Sequence, residues 1–242
     1  MVTKQLVKET LAGLGLKPDD AVIIHSSLKS FGIVDGGADT IIDAFIEYLS
    51  EGTVLFPALR TKNFKDAYKD WNINTTPSDV GFISETFRLR DGVLRSDQAT
   101  HSVCAYGRDA LFYTCAHGSG ILRKGPFGET AFDTLSPWQK MYEKGAKIVM
   151  LGVSLKYSTM KHLAESILMN DILDGLSGEE LKEAVDSLAT YDDHVSAIEG
   201  TGWRGKAWPW YDGDKLQAFL DEKGLISHAK CGECNIISID AI

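Results

Sequence analysis

The apolar positions of this chain change period several times, and the changes divide it into alternating helices and strands. Leu6, Val7, Leu11 and Leu14 recur at helical spacing and predict an amphipathic helix over residues 3 to 15. Gly15-Leu16-Lys17-Pro18-Asp19-Asp20 breaks it. Ala21-Val22-Ile23-Ile24 is a short continuous apolar run, read as a buried strand that leads into His25-Ser26-Ser27-Leu28-Lys29-Ser30-Phe31-Gly32. Gly36-Gly37 marks a turn. Ile42, Phe45, Ile46 and Leu49 then form the stripe of a helix over about 39 to 49, and Thr53-Val54-Leu55-Phe56-Pro57-Ala58 is a second strand. Strand, helix and strand in that order predict a parallel crossover unit.

Residues 59 to 80 are polar with weak periodicity and read as a long surface loop, a length that is often functional. Helices are expected over 81 to 90, 108 to 117 and 135 to 144, a strand over 102 to 107, and a glycine-rich loop over 118 to 128. Ala146-Lys147-Ile148-Val149-Met150-Leu151-Gly152-Val153 is a clear strand, followed by a polar turn and a helix over about 159 to 170. Past 170 the character changes. An acidic helical stretch (178 to 188) precedes an aromatic, glycine-rich run from Tyr191 to Tyr211, a helix over 212 to 223 and a closing strand over 235 to 241. The whole reads as a single domain, 1 to 242, in which 171 to 230 is an excursion packed on the sheet.

A hydrophobic fraction of 44% is enough for a full core. The formal charge of -9 argues against nucleic acid or an anionic membrane surface as the main partner and leaves an amine substrate open. No apolar signal core follows Met1-Val2-Thr3-Lys4-Gln5, and no run reaches the ~18 apolar residues of a membrane span, so a cytoplasmic location is expected. Cys104 and Cys115 sit among apolar residues and read as inert core thiols. Cys231-Gly232-Glu233-Cys234 is a single CxxC behind His228. A structural zinc site needs about four ligands and a redox pair precedes a helix, so the spacing reads as accidental, with zinc or redox chemistry as the alternative, and no metal is expected. Trp203 to Tyr211 reads either as a hydrophobic plug or as a wall for a sugar or nucleotide, and Asp192-Asp193 as a solvated turn.

The candidate chemistry centres on Ser154-Leu155-Lys156-Tyr157-Ser158-Thr159-Met160-Lys161-His162-Leu163-Ala164-Glu165. Ser158 or Thr159 is placed to cap the helix through its hydroxyl. His162 and Glu165 share a face one turn in. A titratable base just past a buried strand is where open α/β sheets place their chemistry, and imidazole titrates nearest neutrality, at roughly 6.5. Periodicity alone leaves a core-packing histidine as the competing reading.

Five motifs in order, His25-Ser26-Ser27-Leu28, Gly52-Thr53-Val54-Leu55-Phe56-Pro57, Arg95-Ser96-Asp97-Gln98-Ala99-Thr100-His101-Ser102-Val103, Gly125-Pro126-Phe127-Gly128 and Ser158-Thr159-Met160-Lys161-His162-Leu163-Ala164-Glu165, give a chain that resembles the aminoglycoside 3-N-acetyltransferase family from about residue 3 to 241. The resemblance implies a three-layer α/β/α sandwich with a central mixed sheet, and acetyl transfer from acetyl-CoA to an amine. It implies that Ser26, Ser27, Leu28, Lys29 and Ser30 lie along the coenzyme, where hydroxyls, backbone N–H groups and one ammonium suit pantetheine and phosphate. It makes His162 the general base and places Thr159 to donate to the thioester oxygen, and Glu165 either orients His162 or binds a cationic acceptor.

The chain also departs from the family pattern. Ser158 stands where the family has Asn, Lys156 where it commonly has an acidic residue, and Gln98-Ala99 where it often has His-Pro. Lys156 reverses charge at a cation-binding position, which is costly for a polycationic antibiotic. The acceptor expected is therefore a primary amine on a small polar molecule, an amino sugar or its nucleotide-linked form. Aminoglycoside resistance and a binding-only pseudoenzyme are the alternatives. The helix that usually follows the last strand is absent before Ile242, and an edge left there suits a homo-oligomer.

Overall fold

The computed structural model describes residues 1–61, 67–125, 127–189 and 212–241. Pro126, Asp192, Asp193, His194 and the stretch from Trp203 to Tyr211 lie outside the described residues. The chain opens with α1 (Lys4–Gly13), β1 (Ala21–Ser26), a 3-10 turn at Leu28–Phe31, α2 (Gly37–Tyr48) and β2 (Thr53–Pro57). Next come α3 (Phe82–Arg88), β3 (Leu94–Arg95), β4 (Val103–Gly107), α4 (Ala110–Thr114), α5 (Pro137–Glu143) and β5 (Lys147–Leu151). A second 3-10 turn at Leu155–Tyr157 leads into α6 (Met160–Asp174), then α7 (Gly178–Ala189), α8 (Gly213–Glu222), β6 (Ser227–Cys231) and β7 (Cys234–Asp240).

The seven strands form one mixed sheet in the order β3-β4-β2-β1-β5-β7-β6. β1 is parallel to both β2 and β5, and every other pair is antiparallel. The three parallel strands are central and apolar, as strands covered on both faces must be. Strand alternation then splits the core. Val22 and Ile24 of β1 face one cluster, with Leu11 of α1, Ile41, Ile42 and Phe45 of α2, and Phe87 of α3. Ile23 faces the other, with Tyr113 of α4, Trp138 and Met141 of α5, and Met160 and Leu163 of α6. Helices thus cover both faces of the sheet and make three layers. Among the described residues no helix is long and apolar enough to cross a membrane.

This division positions the site. β1 and β5 end side by side, with His25 opposite Met150 and Ser26 opposite Leu151. The helix after β1 packs on one face and the helix after β5 on the other. The carboxyl ends of these two strands are therefore the point where the chain departs to opposite faces, the place where open α/β sheets bind ligands. The two loops touch there. Gly152 has φ +66, and a Cβ on it would lie 1.9 Å from the Ser30 hydroxyl oxygen.

Two differences from the sequence reading concern the C-terminal part. Residues 227–231, of which 227–230 were expected in the excursion, form the edge strand β6. Their Ser-His-Ala-Lys-Cys pattern carries little apolar signal because an edge strand buries little, and only Cys231 is buried. β6 covers β7, so the closing strand is not an edge. The CxxC is the turn of this hairpin, with Cys231 paired to Cys234 in register. Both thiols are free and buried, and burial pushes the Cys234 thiol up to about 11, unlike a reactive pair. His228 instead bonds Asp221, Nε2 to Oδ1, at 2.7 Å. Cys104 is buried, but Cys115 is exposed and not a core thiol.

The start of α8 lies hard against the 155–157 turn. A Cβ at Gly213 would sit 2.4 Å from Lys156 Cα and 2.5 Å from Lys156 N. Gln217 accepts from Leu155 N (3.0 Å), and the Ser154 hydroxyl donates to Asp214 (2.6 Å). Gly213→Ala is expected to lower stability by about 1–3 kcal/mol by forcing the two backbones apart. Urea unfolding of the variant beside the parent measures this, and an unchanged midpoint would contradict the close approach.

Candidate active site

α6 begins at Met160 with Thr159 as its N-cap residue. Thr159 has helical dihedrals (φ -71, ψ -24) and makes no capping bond, contrary to the expectation that its hydroxyl or that of Ser158 caps the helix. Both residues are buried. The consequence is chemical: a buried hydroxyl at the helix start is not committed to capping. His162 follows in the first turn. Its Nδ1 bonds Glu165 Oε2 at 2.7 Å, and their side chains are 14% and 6% exposed. The carboxylate fixes the ring and the tautomer, so Nε2 of a neutral imidazole is left as the acceptor.

His162 and Glu165 line a narrow cleft between α6 and the loop at 123–132, together with Arg123, Phe127, Phe132 and Met169. Phe127 packs on His162 with ring centroids 5.0 Å apart, and His101 packs on Phe127 at 4.8 Å. The cleft wall is tied back into the fold through Gln98. Its Oε1 accepts from the backbone N–H groups of Thr100 and His101, while Nε2 donates to the hydroxyls of Tyr68 (2.6 Å) and Thr130 (3.2 Å). Arg95 donates to the carbonyls of Ala58, Ile73 and Thr76 and to Ser102 Oγ, and stacks 4.5 Å over Trp71. The Arg95 to Val103 motif thus holds the wall and the 67–80 loop.

The loop after β1 packs beside the end of β5, and none of its residues lines that cleft. Ser27 N donates to Leu151 O (2.9 Å), tying it to the end of β5. The Ser30 hydroxyl is spent within the fold, donating to Ser27 O (2.7 Å) and lying 3.1 Å from Cys234 Sγ. Ser26 Oγ is buried with no hydrogen-bond partner among the described residues, and Lys29 is exposed and pairs with no carboxylate among them. Leu28 packs against the first core cluster. Lys156 is exposed on its 3-10 turn, and the Lys161 ammonium donates to its carbonyl (2.7 Å).

A family model, aminoglycoside 3-N-acetyltransferase, matches residues 23–241 of the sequence. The chain belongs to this family. It is 32% identical over 184 residues to the SPbeta prophage-derived aminoglycoside N(3')-acetyltransferase-like protein YokD of Bacillus subtilis, covering 67% of this chain and 64% of that one. It is 27% identical to aminoglycoside N(3)-acetyltransferase IX of Micromonospora chalcea, covering 69% and 62%. The matched part therefore spans less than two thirds of these curated relatives. Among solved structures, YokD matches at TM-score 0.60 and 30% identity over 68% of this chain and 70% of that one. AAC-IIIb in binary complex with CoASH matches at 0.71 and 22% over 99% and 91%, a likeness of fold. The family shares the mixed sheet with helices on both faces.

Sequence reasoning missed Arg123, Phe127 as a ring partner, and a buried histidine beneath the site. His25 points to the same face as Ile23, under α6. Burial, with a smaller push from His162, pulls it down to about 3, and its Nε2 has no partner among the described residues. His117 bonds the Ser96 hydroxyl through Nδ1 and Ala131 O through Nε2, and burial pulls it down to about 4. Only the match of His25 to a strand end hinted at its place.

Both imidazoles stay neutral in the folded chain and take up a proton on unfolding below about pH 6.5. Unfolding then binds protons, so stability present above that pH is lost as pH falls toward 4. Lowering pH from 7 to 5 is expected to cost about 2 kcal/mol per buried imidazole, measured by urea unfolding at pH 7, 6 and 5. A stability flat across that range would contradict their burial in neutral form.

Proposed function

We propose that this chain is an N-acetyltransferase that moves an acetyl group from acetyl-CoA to a primary amine of a small polar acceptor, with His162 as general base. The observation that carries the reading is the 2.7 Å His162–Glu165 pair on the wall of a cleft, in the first turn of the helix that follows β5. Membership of an acetyltransferase family supports it, as does the CoASH complex of a protein with the same fold.

The residues at the carboxyl end of β1 suit the coenzyme. Ser26 offers a buried hydroxyl and Lys29 an ammonium, neither with a partner among the described residues, and the 26–30 backbone offers a strand-end loop. Ser30 acts by shaping that loop, since its own hydroxyl is already used. Acetyl-CoA, when bound, supplies the acetyl group as a thioester. His162 Nε2 takes the proton that the amine gives up as its nitrogen attacks the thioester carbon, and the imidazolium passes that proton to the coenzyme A thiolate that leaves as the C–S bond breaks. Glu165 holds the ring through Nδ1 and stabilises the imidazolium that results. Thr159 directs its hydroxyl proton at the negative charge developing on the carbonyl oxygen. No covalent enzyme intermediate is needed, because holding amine and thioester together removes most of the entropic cost.

For the acceptor, the cations Lys156, in the turn before α6, and Lys161, in its first turn, favour an amino sugar or nucleotide-linked amino sugar over a polycation. The reading as an aminoglycoside-resistance enzyme rests on a different observation: the relatives are named for aminoglycosides, and solved structures of AAC(3)-IVa hold apramycin and a gentamicin. The retained Thr159, His162 and Glu165 argue against a binding-only role.

Thiol release from acetyl-CoA against aminoglycosides, free amino sugars and nucleotide-linked amino sugars, with a no-acceptor blank, tests the reading. Release above the blank with an amino sugar class is expected. Silence across the panel would contradict the proposed activity. His162→Ala should lower kcat by about 10²-fold or more while acetyl-CoA binding, measured by calorimetry, stays within about twofold. An unchanged rate would remove His162 from the mechanism.

A further inference from the structure

Arg123 stands in the same cleft as His162 and Glu165, and the fold fixes it at several points. Its backbone N–H donates to Glu129 O (3.1 Å). The next residue is clamped to α6 by one side chain: Lys124 N donates to Asn170 Oδ1 (2.9 Å), and Asn170 Nδ2 donates to Lys124 O (3.0 Å). Arg123 Nη1 donates to Phe132 O (2.7 Å) and Gln139 Oε1 (2.9 Å), both uncharged. The Nε and Nη2 donors make no hydrogen bond among the described residues, and these two atoms form the side-on edge that grips carboxylates and phosphates in pairs.

The surrounding acids do not fill that edge. Asp133 lies near enough to act on the guanidinium, but its oxygens accept from the backbone N–H groups of Gly118, Gly120 and Leu135. Glu143 accepts from Gln139 Nε2, and Asp171 is exposed. Burial outweighs all three and destabilises the charged guanidinium. A partly buried guanidinium with an open fork, held rigid beside the candidate base, has no counter-ion bonded to it among the described residues.

We propose that Arg123 binds an anionic group of the acceptor, so that the amine delivered to His162 belongs to a molecule bearing a phosphate or carboxylate. This rests on the acetyltransferase reading and narrows its substrate class. An oxyanion on the Arg123 fork and an amine at His162 Nε2 make a two-point hold across one cleft. Such a hold orients the amine for attack and selects against polycations, which would bring positive charge to the open Arg123 fork.

The test is acetyl-CoA turnover by the full chain with glucosamine, glucosamine 6-phosphate, muramic acid and sisomicin. The first three share an amino sugar and differ in carrying no anion, a phosphate or a carboxylate. At least one anionic acceptor is expected to exceed glucosamine by about tenfold or more in kcat/KM. Arg123→Gln should bring that ratio to about one, chiefly through KM, and Arg123→Lys should keep part of it because charge survives without the fork. Melting temperatures close to the parent's show that the loop is still seated. Equal turnover of glucosamine and both anionic sugars, or a preference that persists in Arg123→Gln, would overturn the assignment alone. Failure to acetylate any of the four amines or any nucleotide-linked amino sugar of the wider panel would overturn the acetyltransferase reading beneath it.

Discussion

Everything in this molecule that bears on chemistry depends on the pairing of β1 with β5. The two strands run parallel and end level, Ser26 opposite Leu151, and their following helices leave to opposite faces. Parallel pairing cannot be closed by a hairpin, so each strand end must hand the chain to a loop and then a helix. The result is two loops facing each other over the sheet edge. One carries Ser26 and Lys29, the other delivers Thr159, His162 and Glu165. Neither loop is free to drift: Ser27 is bonded to Leu151, and Gly152 admits the Ser30 hydroxyl at a distance that no side chain would tolerate.

The rest of the fold supplies rigidity in layers around this point. α8 braces the turn before α6 through Gly213, Asp214 and Gln217. Gln98 and Arg95 collect the backbone of several loops into the far wall of the cleft. The Phe127 ring sits between His101 and His162 and transmits that wall to the candidate base as contact. These are satisfied polar networks, and a satisfied network defines one geometry where a purely apolar wall would allow several. Gln98 is a keystone of this wall.

Much of this was legible from the sequence where a residue type has one physical use. The apolar runs at 21–24, 53–58 and 146–153 predict strands, and these are the three central strands of the sheet, where burial on both faces gives such runs. His162 and Glu165 were placed on one face by helical spacing, and they are hydrogen-bonded. What stayed hidden shares one cause: it depends on contacts between distant segments. β6 was missed because an edge strand leaves no periodic signature, and the uncommitted Thr159 because capping preference predicts a bond the helix does not make. Arg123 stands in a glycine-rich loop with no motif to single it out. Its significance appears only when Asn170, Phe132 and Gln139, all outside that loop's own run of sequence, are seen to hold it.

Hydrogen–deuterium exchange of the full chain with and without acetyl-CoA tests the central claim, that the ends of β1 and β5 form one site. The account predicts that peptides covering 25–32 and 154–163 become protected together when acetyl-CoA is added, with the 227–240 hairpin strands little changed. Protection elsewhere while both of these loops exchange as before would contradict it.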